Sequence, residues 1–398
     1  MIEYFADLHV HIGRTQSGSP VKVTASANLT FENILHEAVY RKGIDAVAIV
    51  DCASPGVLRD IAGLLEKGEM SLQPGGGLLY RDKLAVFPAV EVGVDVAQGE
   101  AHFIAYLPDH EAAAEFSRRL EGYVTNVHLS SQKARCDVRE LLRLCVACGG
   151  FLVPAHAFTP HKGYYGHSAS RLSEAFQPAD LEAIPAVELG LSCDTVMASR
   201  IRELDGFSFL SNSDAHSLAK IAREYNRIQA SSLSFESLRR ALTGQEGGIV
   251  ANYGLDPRLG KYHRTYCNAC ETHIPLRPDR LCPRCGGKDI VAGVADRLDE
   301  IADRPPSYTP SGRPPYYYQV PLEYVPGVGA RTLDRLIAAF GSEMQVIHRA
   351  SLEQLAEVVP LRIAQLIVAA REGRLALAEG GGGRYGRVLL DRSGASRA

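Results

Sequence analysis

No stretch of this 398-residue chain runs apolar and uninterrupted for anything near the ~20 residues needed to cross a bilayer. Nor do the opening residues combine the basic start, apolar core and small-residue cleavage site of a secretion signal. A soluble cytoplasmic protein is the expectation, nucleoid-associated if its partner is DNA. Net charge is scarce as well: the formal total is -3, from 23 Lys+Arg against 30 Asp+Glu in residues 1–252 and 20 against 16 in residues 253–398. The basic excess of the second part hints at a nucleic-acid partner, although an ordinary solvated surface often carries as much.

A disulfide framework is also missing. Of the nine cysteines, Cys52, Cys136, Cys145, Cys148 and Cys193 are scattered through helix-like or strand-like segments. An odd count without even spacing argues for reduced thiols and metal ligation. Cys145-x-x-Cys148 shares a helical stretch with Leu141, Leu142 and Leu144, so it reads as core packing, not as a redox pair. Apolar residues are plentiful, at 46%, and support a buried core in a chain long enough for two or three domains.

The stretch around which the rest is organised is Asp7-Leu8-His9-Val10-His11, closing the first apolar run. Histidines two apart on an extended segment project to one side, where both imidazoles can reach one cation. A single His-x-His is as well explained by polar residues at a strand end. Its weight comes from Glu91, His102, His156 and Ser213-Asp214-Ala215-His216, each at the end or edge of another apolar run.

Strand-like and helix-like runs alternate through residues 1–250, which predicts an α/β architecture with a parallel sheet or barrel. Asn28 or Thr30 can cap a helix over residues 31–42, ended by Gly43. Residues 46–50 form a strand delivering Asp51 and Cys52, and residues 151–155 one delivering His156. His9, His11, Asp51, His156, Asp214 and His216 all follow an apolar strand. That edge is where parallel sheets and barrels assemble their sites.

DLHVH, the Glu91 of PAVEVG, the AHAF around His156 and SNSDAH ending at His216 resemble the motifs of the polymerase-and-histidinol-phosphatase (PHP) superfamily. The resemblance implies a distorted (βα)7 barrel over roughly residues 1–252, with two or three divalent cations (Zn, Mn, Mg or Fe) at its mouth. The ligand set is then His9, His11, Asp51, Glu91, His102, His156, Asp214 and His216. One departure stands out: Val50-Asp51-Cys52 replaces a usual Thr-Asp-His, so either Asp51 or Cys52 substitutes or one metal position is altered.

Closely spaced cations lower the pKa of a bridging water and neutralise charge on a phosphoryl group, so phosphate ester hydrolysis is the expected reaction. Asp214 is the candidate bridging or general-base carboxylate. In the loop His161-Lys162-Gly163-Tyr164-Tyr165, His161 can protonate a leaving group or bind metal, Lys162 can hold a phosphate, and Tyr164 can stack on a base, although adjacent tyrosines are as often packing.

Cys267-x-x-Cys270 and Cys282-x-x-Cys285 supply four thiolates at the spacing of a structural zinc site, within a module at residues 253–300. A Pro/Tyr-rich linker follows at 301–321. Pro326-Gly327-Val328-Gly329-Ala330-Arg331-Thr332 then resembles a helix-hairpin-helix motif, within a helical domain at 322–378. Its glycines let the backbone approach a phosphate, so Gly327, Gly329, Arg331 and Thr332 are candidate DNA contacts. Residues 379–398 form a Gly-rich tail.

The order of barrel, zinc module and helix-hairpin-helix resembles the endonuclease Q family of PHP-type repair nucleases. That resemblance implies DNA with deaminated bases (uracil, hypoxanthine, xanthine) or abasic sites as substrate, cut on the 5′ side of the lesion to leave 3′-hydroxyl and 5′-phosphate ends. A replication clamp is left open as a further partner. A small-molecule phosphatase of the histidinol-phosphate kind is the alternative; it leaves the zinc and hairpin modules without work.

Overall fold

The computed structural model describes residues 1–389, so the last part of the expected Gly-rich tail lies outside it. Contacts divide the chain into two compact units: Met1–Val39, Ile44–Gly190 and Glu203–Asn252 form one, and Tyr40–Gly43, Leu191–Arg202 and the chain from Tyr253 onward form the other.

The first unit is the α/β barrel that the motifs imply. Its ring follows chain order: β1 (Ile2–Val10), β2 (Ala46–Ile49), β3 (Leu84–Val96), β4 (Gly99–Tyr106), β5 (Phe151–Pro154), β6 (Ala186–Glu188) and β7 (Ser208–Leu210). β1, β2 and β3 pair in parallel, as do β6 and β7. Ala157 N donates to Glu188 O at 2.8 Å, carrying the chain from β5 to β6, and Ala215 N donates to His9 O at 3.3 Å, returning it to β1. A further strand, β8 (Tyr225–Ala230), lies antiparallel on the first half of β1.

The ring is not uniformly parallel. Val96 opposes Gly99, so only Ala97 and Gln98 join β3 to β4, and a two-residue connection can only make an antiparallel hairpin. β4 therefore enters the barrel from the mouth. Its N-terminal His102 lies at the same end as the C-termini of the other strands. β3 runs unbroken through Pro88 to Val96.

Alternation places the site. Ala85, Phe87 and Ala89 belong to the barrel core, and Glu91 is the next residue of the same parity on β3. Ile104 and Tyr106 are core residues of β4, and His102 shares their parity. Ala186 is core, and Glu188 follows it on β6. On β1 the pairing with β2 shifts register between Asp7 and Val10. Leu8 lies in the core, while His9 and His11, of opposite parity, also reach the site, as an inserted bulge residue allows.

The helix expected over residues 31–42 is α-helical at Phe31–His36, then widens into a π-helix at Glu37–Lys42. In the second unit a three-stranded sheet of Tyr266–Cys267, Thr272–His273 and Ile290–Val291 carries the cysteine knuckles. Helices Ala330–Phe340, Glu343–His348, Leu352–Val358 and Leu361–Arg371 follow around a core that includes Leu336, Val346, Leu355 and Ile367. The start of the expected tail is structured: Leu377–Ala378 pairs with Arg387–Val388 in a hairpin. No helix among the described residues is long and apolar enough to cross a membrane.

Candidate metal centre

Six of the expected ligands meet at the barrel mouth as two triplets. In one, His9, His11 and Asp214 each offer an atom within 4.8 Å of the others; in the second, Glu91, His102 and His156 do so. Glu91 joins them. Its Oε1 lies 2.9 Å from His102 Nδ1, 3.2 Å from His156 Nε2 and 3.7 Å from His9 Nε2, and its Oε2 is 3.5 Å from His11 Nε2.

Each ring of β1 is held from behind by a carboxylate. His9 Nδ1 contacts Glu188 Oε1 and Oε2 at 3.0 and 3.1 Å, and His11 Nδ1 contacts both Asp51 oxygens at 3.2 Å. A ring donating from Nδ1 presents a lone pair at Nε2, the tautomer a metal ligand needs. The two Nε2 atoms face each other at 3.3 Å, with Asp214 Oδ1 3.5 and 3.3 Å away. Converging lone pairs and carboxylate oxygens in a buried site fit a divalent cation.

The carboxylates also make the pocket favourable to positive charge. Burial works against a charged His9, yet Glu188, Asp214 and Glu91 push its pKa up to about 10. Burial works against ionised Asp214 and Glu91 too, but the surrounding histidines, with Lys22 beside Glu91, hold both well below the usual carboxylate range. Burial raises Asp7 to about 6, against hydrogen bonds from Ser213, Ala222 and His9. Through Ser213 N (3.0 Å) and Ala222 N (2.8 Å), the Asp7 carboxylate ties the segment bearing Asp214 to β1. Asp214 and His156 both have positive φ, 45° and 31°. Such strained backbone is characteristic of functional sites. Gly190 leaves room for that turn, since a Cβ on it would lie 3.1 Å from His156 Cβ.

Other expected site residues stand elsewhere. Asp51 lies outside both triplets: besides His11 Nδ1, its carboxylate accepts from Ile12 N at 2.6 Å and from Ser130 Oγ. In that position its carboxylate holds the His11 ring from behind. Cys52 is no substitute either, since its buried thiol donates to Ile49 O at 3.2 Å, and burial pushes its pKa up to about 12. His216 packs its ring 4.7 Å from that of His11 and holds Asp214 O through Nδ1 at 3.0 Å, outside both triplets.

The loop after His156 departs furthest from expectation. Tyr164 is fully buried, its ring edge-on to Phe103 at 6.1 Å and its hydroxyl donating to Arg171 O at 3.0 Å, so it offers no face to a base. His161 is exposed, outside the triplets, and burial together with nearby His167 lowers its pKa, favouring the neutral form. Lys162 is exposed beside the site, its Nζ 3.0 Å from Glu100.

Three contributors went unassigned in the sequence. Glu188 carried a legible signal, since it closes the apolar run of β6 as Glu91 extends that of β3. Lys22, with Nζ 3.2 Å from Glu91 Oε2, and Ser131, which bonds the same carboxylate, lie in loops with no such signal. Burial opposes the Lys22 charge, but Glu91, Asp51 and Asp214 raise its pKa.

In the second unit the four cysteine Sγ atoms lie within 4.8 Å of one another, with Cys267–Cys285 at 3.8 Å and Cys270–Cys282 at 3.9 Å. Zinc–sulfur bonds of ~2.3 Å in a tetrahedron require sulfur–sulfur edges of roughly 3.8 Å, so the donors fit a closed zinc site. All nine cysteines are free of disulfides. Before the helix Ala330–Phe340 there is only a 3-10 turn, Leu322–Tyr324. Gly327, at φ 91°, and Gly329, the N-cap, are exposed, as is Arg331, with Thr332 half-buried.

A barrel mouth of this build is that of a PHP-type metal-dependent hydrolase. No family model matches the chain. It is 44% identical over 391 residues to the uncharacterised protein YqxK of Bacillus subtilis, covering 98% of this chain and 100% of that one. It is 38% identical over 223 residues to the uncharacterised protein MJ0043 of Methanocaldococcus jannaschii, covering 51% of this chain and 28% of that one. The structure superposes on the lesion-specific endonuclease PfuEndoQ of Pyrococcus furiosus with a TM-score of 0.82 at 30% identity, over 100% of this chain and 98% of that one. On endonuclease Q in complex with a 27-mer duplex bearing an abasic lesion at the active site, the TM-score is 0.83 at 30% identity, with the same coverage. The chain belongs to the endonuclease Q family.

Proposed function

We propose that the chain is a DNA repair endonuclease that hydrolyses the phosphodiester 5′ to a deaminated base (uracil, hypoxanthine or xanthine) or an abasic site, leaving 3′-hydroxyl and 5′-phosphate ends. The observation carrying this reading is the end-to-end match to an endonuclease Q captured on an abasic duplex, together with six converging ligands in this chain. Uracil, hypoxanthine and xanthine, and the position of the cut, rest on the resemblance stated from the motifs.

His9, His11 and Asp214, and Glu91, His102 and His156, would hold the cations, with Glu91 shared between the sets. Divalent ions bound there lower the pKa of water and neutralise charge building on phosphorus. Asp214 Oδ1, within 3.5 Å of both β1 imidazoles, is the acceptor for the proton of the attacking water. Glu188 and Asp51 keep the imidazoles facing the reaction. A damaged base pairs poorly and costs less to unstack, which favours its extrusion for cleavage. The amides opening the helix Ala330–Phe340 and the exposed Arg331 would hold the phosphate backbone without reading sequence.

Duplex oligonucleotides carrying one uracil or one abasic site test this reading, incubated with Mn2+, Mg2+ or Zn2+ and with EDTA. A single metal-dependent nick 5′ to the lesion is expected. Release of phosphate from histidinol phosphate with no nicking would overturn the proposal in favour of a small-molecule phosphatase.

A further inference from the structure

Val23 is 76% exposed, more than any other large apolar residue among those described. It stands on the rim of the barrel mouth, held between two neighbours that touch the site. Lys22 before it places Nζ 3.2 Å from Glu91 Oε2 and bonds Ser131 Oγ, while Ser26 N beyond it donates to His216 O at 2.8 Å. One Cα step of about 3.8 Å thus separates Val23 from a residue whose side chain reaches the centre.

The backbone fixes this placement. Val21 N donates to Gly13 O and Lys22 N to Ile12 O, each at 2.9 Å, and Ser130 N donates to Val21 O at 3.0 Å. Ala25 N then donates back to Lys22 O at 3.0 Å, closing a β-turn with Val23 at its second position. Such a corner suits proline, glycine, asparagine, aspartate or serine. A valine exposed there gives the fold no buried surface, so its apolar bulk serves something outside the folded chain. A turn tied down on both sides resists displacement, and a side chain stiff at χ1 loses little freedom when another surface closes on it.

An extruded nucleotide leaves a gap in the base stack beside the mouth that receives it, and restacking draws the base back. Apolar side chains inserted between base steps hold such gaps open. We propose that Val23 is a wedge of this kind, entering the stack of duplex DNA at the position vacated by the damaged nucleotide and so favouring the extruded state that cleavage needs. Val23 brings neither charge nor hydrogen-bond donor to the chemistry. It positions the substrate and acts on duplexes only, where there is a stack to hold apart. The inference rests on the lesion-nicking reading above.

The test compares V23S and V23L with the wild-type full-length chain. On a duplex with uracil opposite adenine, V23S should lose about 10-fold in kcat/KM, the worth of burying one valine side chain. On the same uracil in a single strand it should lose less than about twofold, since no paired stack has to be opened. V23L, which keeps the apolar bulk, should retain most of the wild-type rate on the duplex. No loss in V23S on the duplex, or an equal loss on both substrates, would overturn the wedge. A second readout needs no cutting: with EDTA present, 2-aminopurine placed beside the uracil in the duplex brightens when its neighbour leaves the stack. At saturating protein the rise should be smaller with V23S than with the wild type, and an equal rise would overturn the proposal. Failure of the wild-type chain to nick any lesion substrate would sink the proposed function, and the fluorescence would then decide the wedge by itself, no rise with the wild type counting against it.

Discussion

Replacing Glu188 by Gln removes one charge and almost no volume, so its effect isolates the role of a carboxylate that stands behind His9, outside both triplets. Four contacts converge on this buried group. Oε1 takes His9 Nδ1 at 3.0 Å and Asn212 Nδ2 at 2.8 Å; Oε2 takes His156 N at 2.6 Å and His9 Nδ1 at 3.1 Å. A glutamine must turn its NH2 toward one side, where it meets Asn212 Nδ2 or the His156 amide, donor against donor. A charge-assisted bond is worth about 1.5–3 kcal/mol. Losing the partner of a metal-binding histidine typically costs about 10–100-fold in metal affinity, or roughly 1.4–2.7 kcal/mol. E188Q is therefore expected to release barrel metal at 10–100-fold lower chelator concentration, while the zinc on the cysteines stays. Chelator titration followed by metal analysis measures this, and nicking should recover in excess Mn2+. Wild-type metal retention in E188Q would refute the reasoning that Glu188 sets the His9 tautomer.

Other expectations follow from individual placements. Cys52, with its thiol raised to about 12 and facing Ile49 O, should resist alkylation at pH 8 in the folded chain, and C52A should keep the full barrel metal content; mass spectrometry after iodoacetamide checks both. Gly327, at φ 91° and with a Cβ position 2.9 Å from Ile363 Cδ1, should cost about 1–2 kcal/mol on replacement by Ala. The readouts are denaturant unfolding and weaker binding to undamaged duplex, with catalysis on bound DNA preserved.

Much of the centre was legible in the sequence because its ligands obey period two. His9 and His11 share a side by spacing alone, and Glu91 continues a run of inward residues. The cysteine knuckles were equally plain, since four thiolates at that spacing have one common purpose. What stayed hidden depends on contacts between distant segments. Asp51 and Glu188 are both carboxylates at strand ends, and nothing in residue type tells a ligand from the group behind a ligand. Lys22 reaches Glu91 only because its loop is pinned to Ile12 and Gly13. Tyr164 reads as an exposed aromatic beside the site until Phe103, far away in sequence, is seen to bury it together with Phe176. The antiparallel direction of β4 was not legible, because it depends on β3 running on to Val96 and leaving only two residues for the connection.

Strand scission by the D214N variant, run beside the wild-type chain on a duplex with one abasic site, is the most direct test that the converging imidazoles and carboxylates carry out hydrolysis. Wild type is expected to nick once beside the lesion with Mn2+ and not in EDTA, and D214N to lose about 10³-fold or more in rate while still binding the duplex. Undiminished cutting by D214N, or cutting by wild type that survives complete removal of metal, would contradict the account.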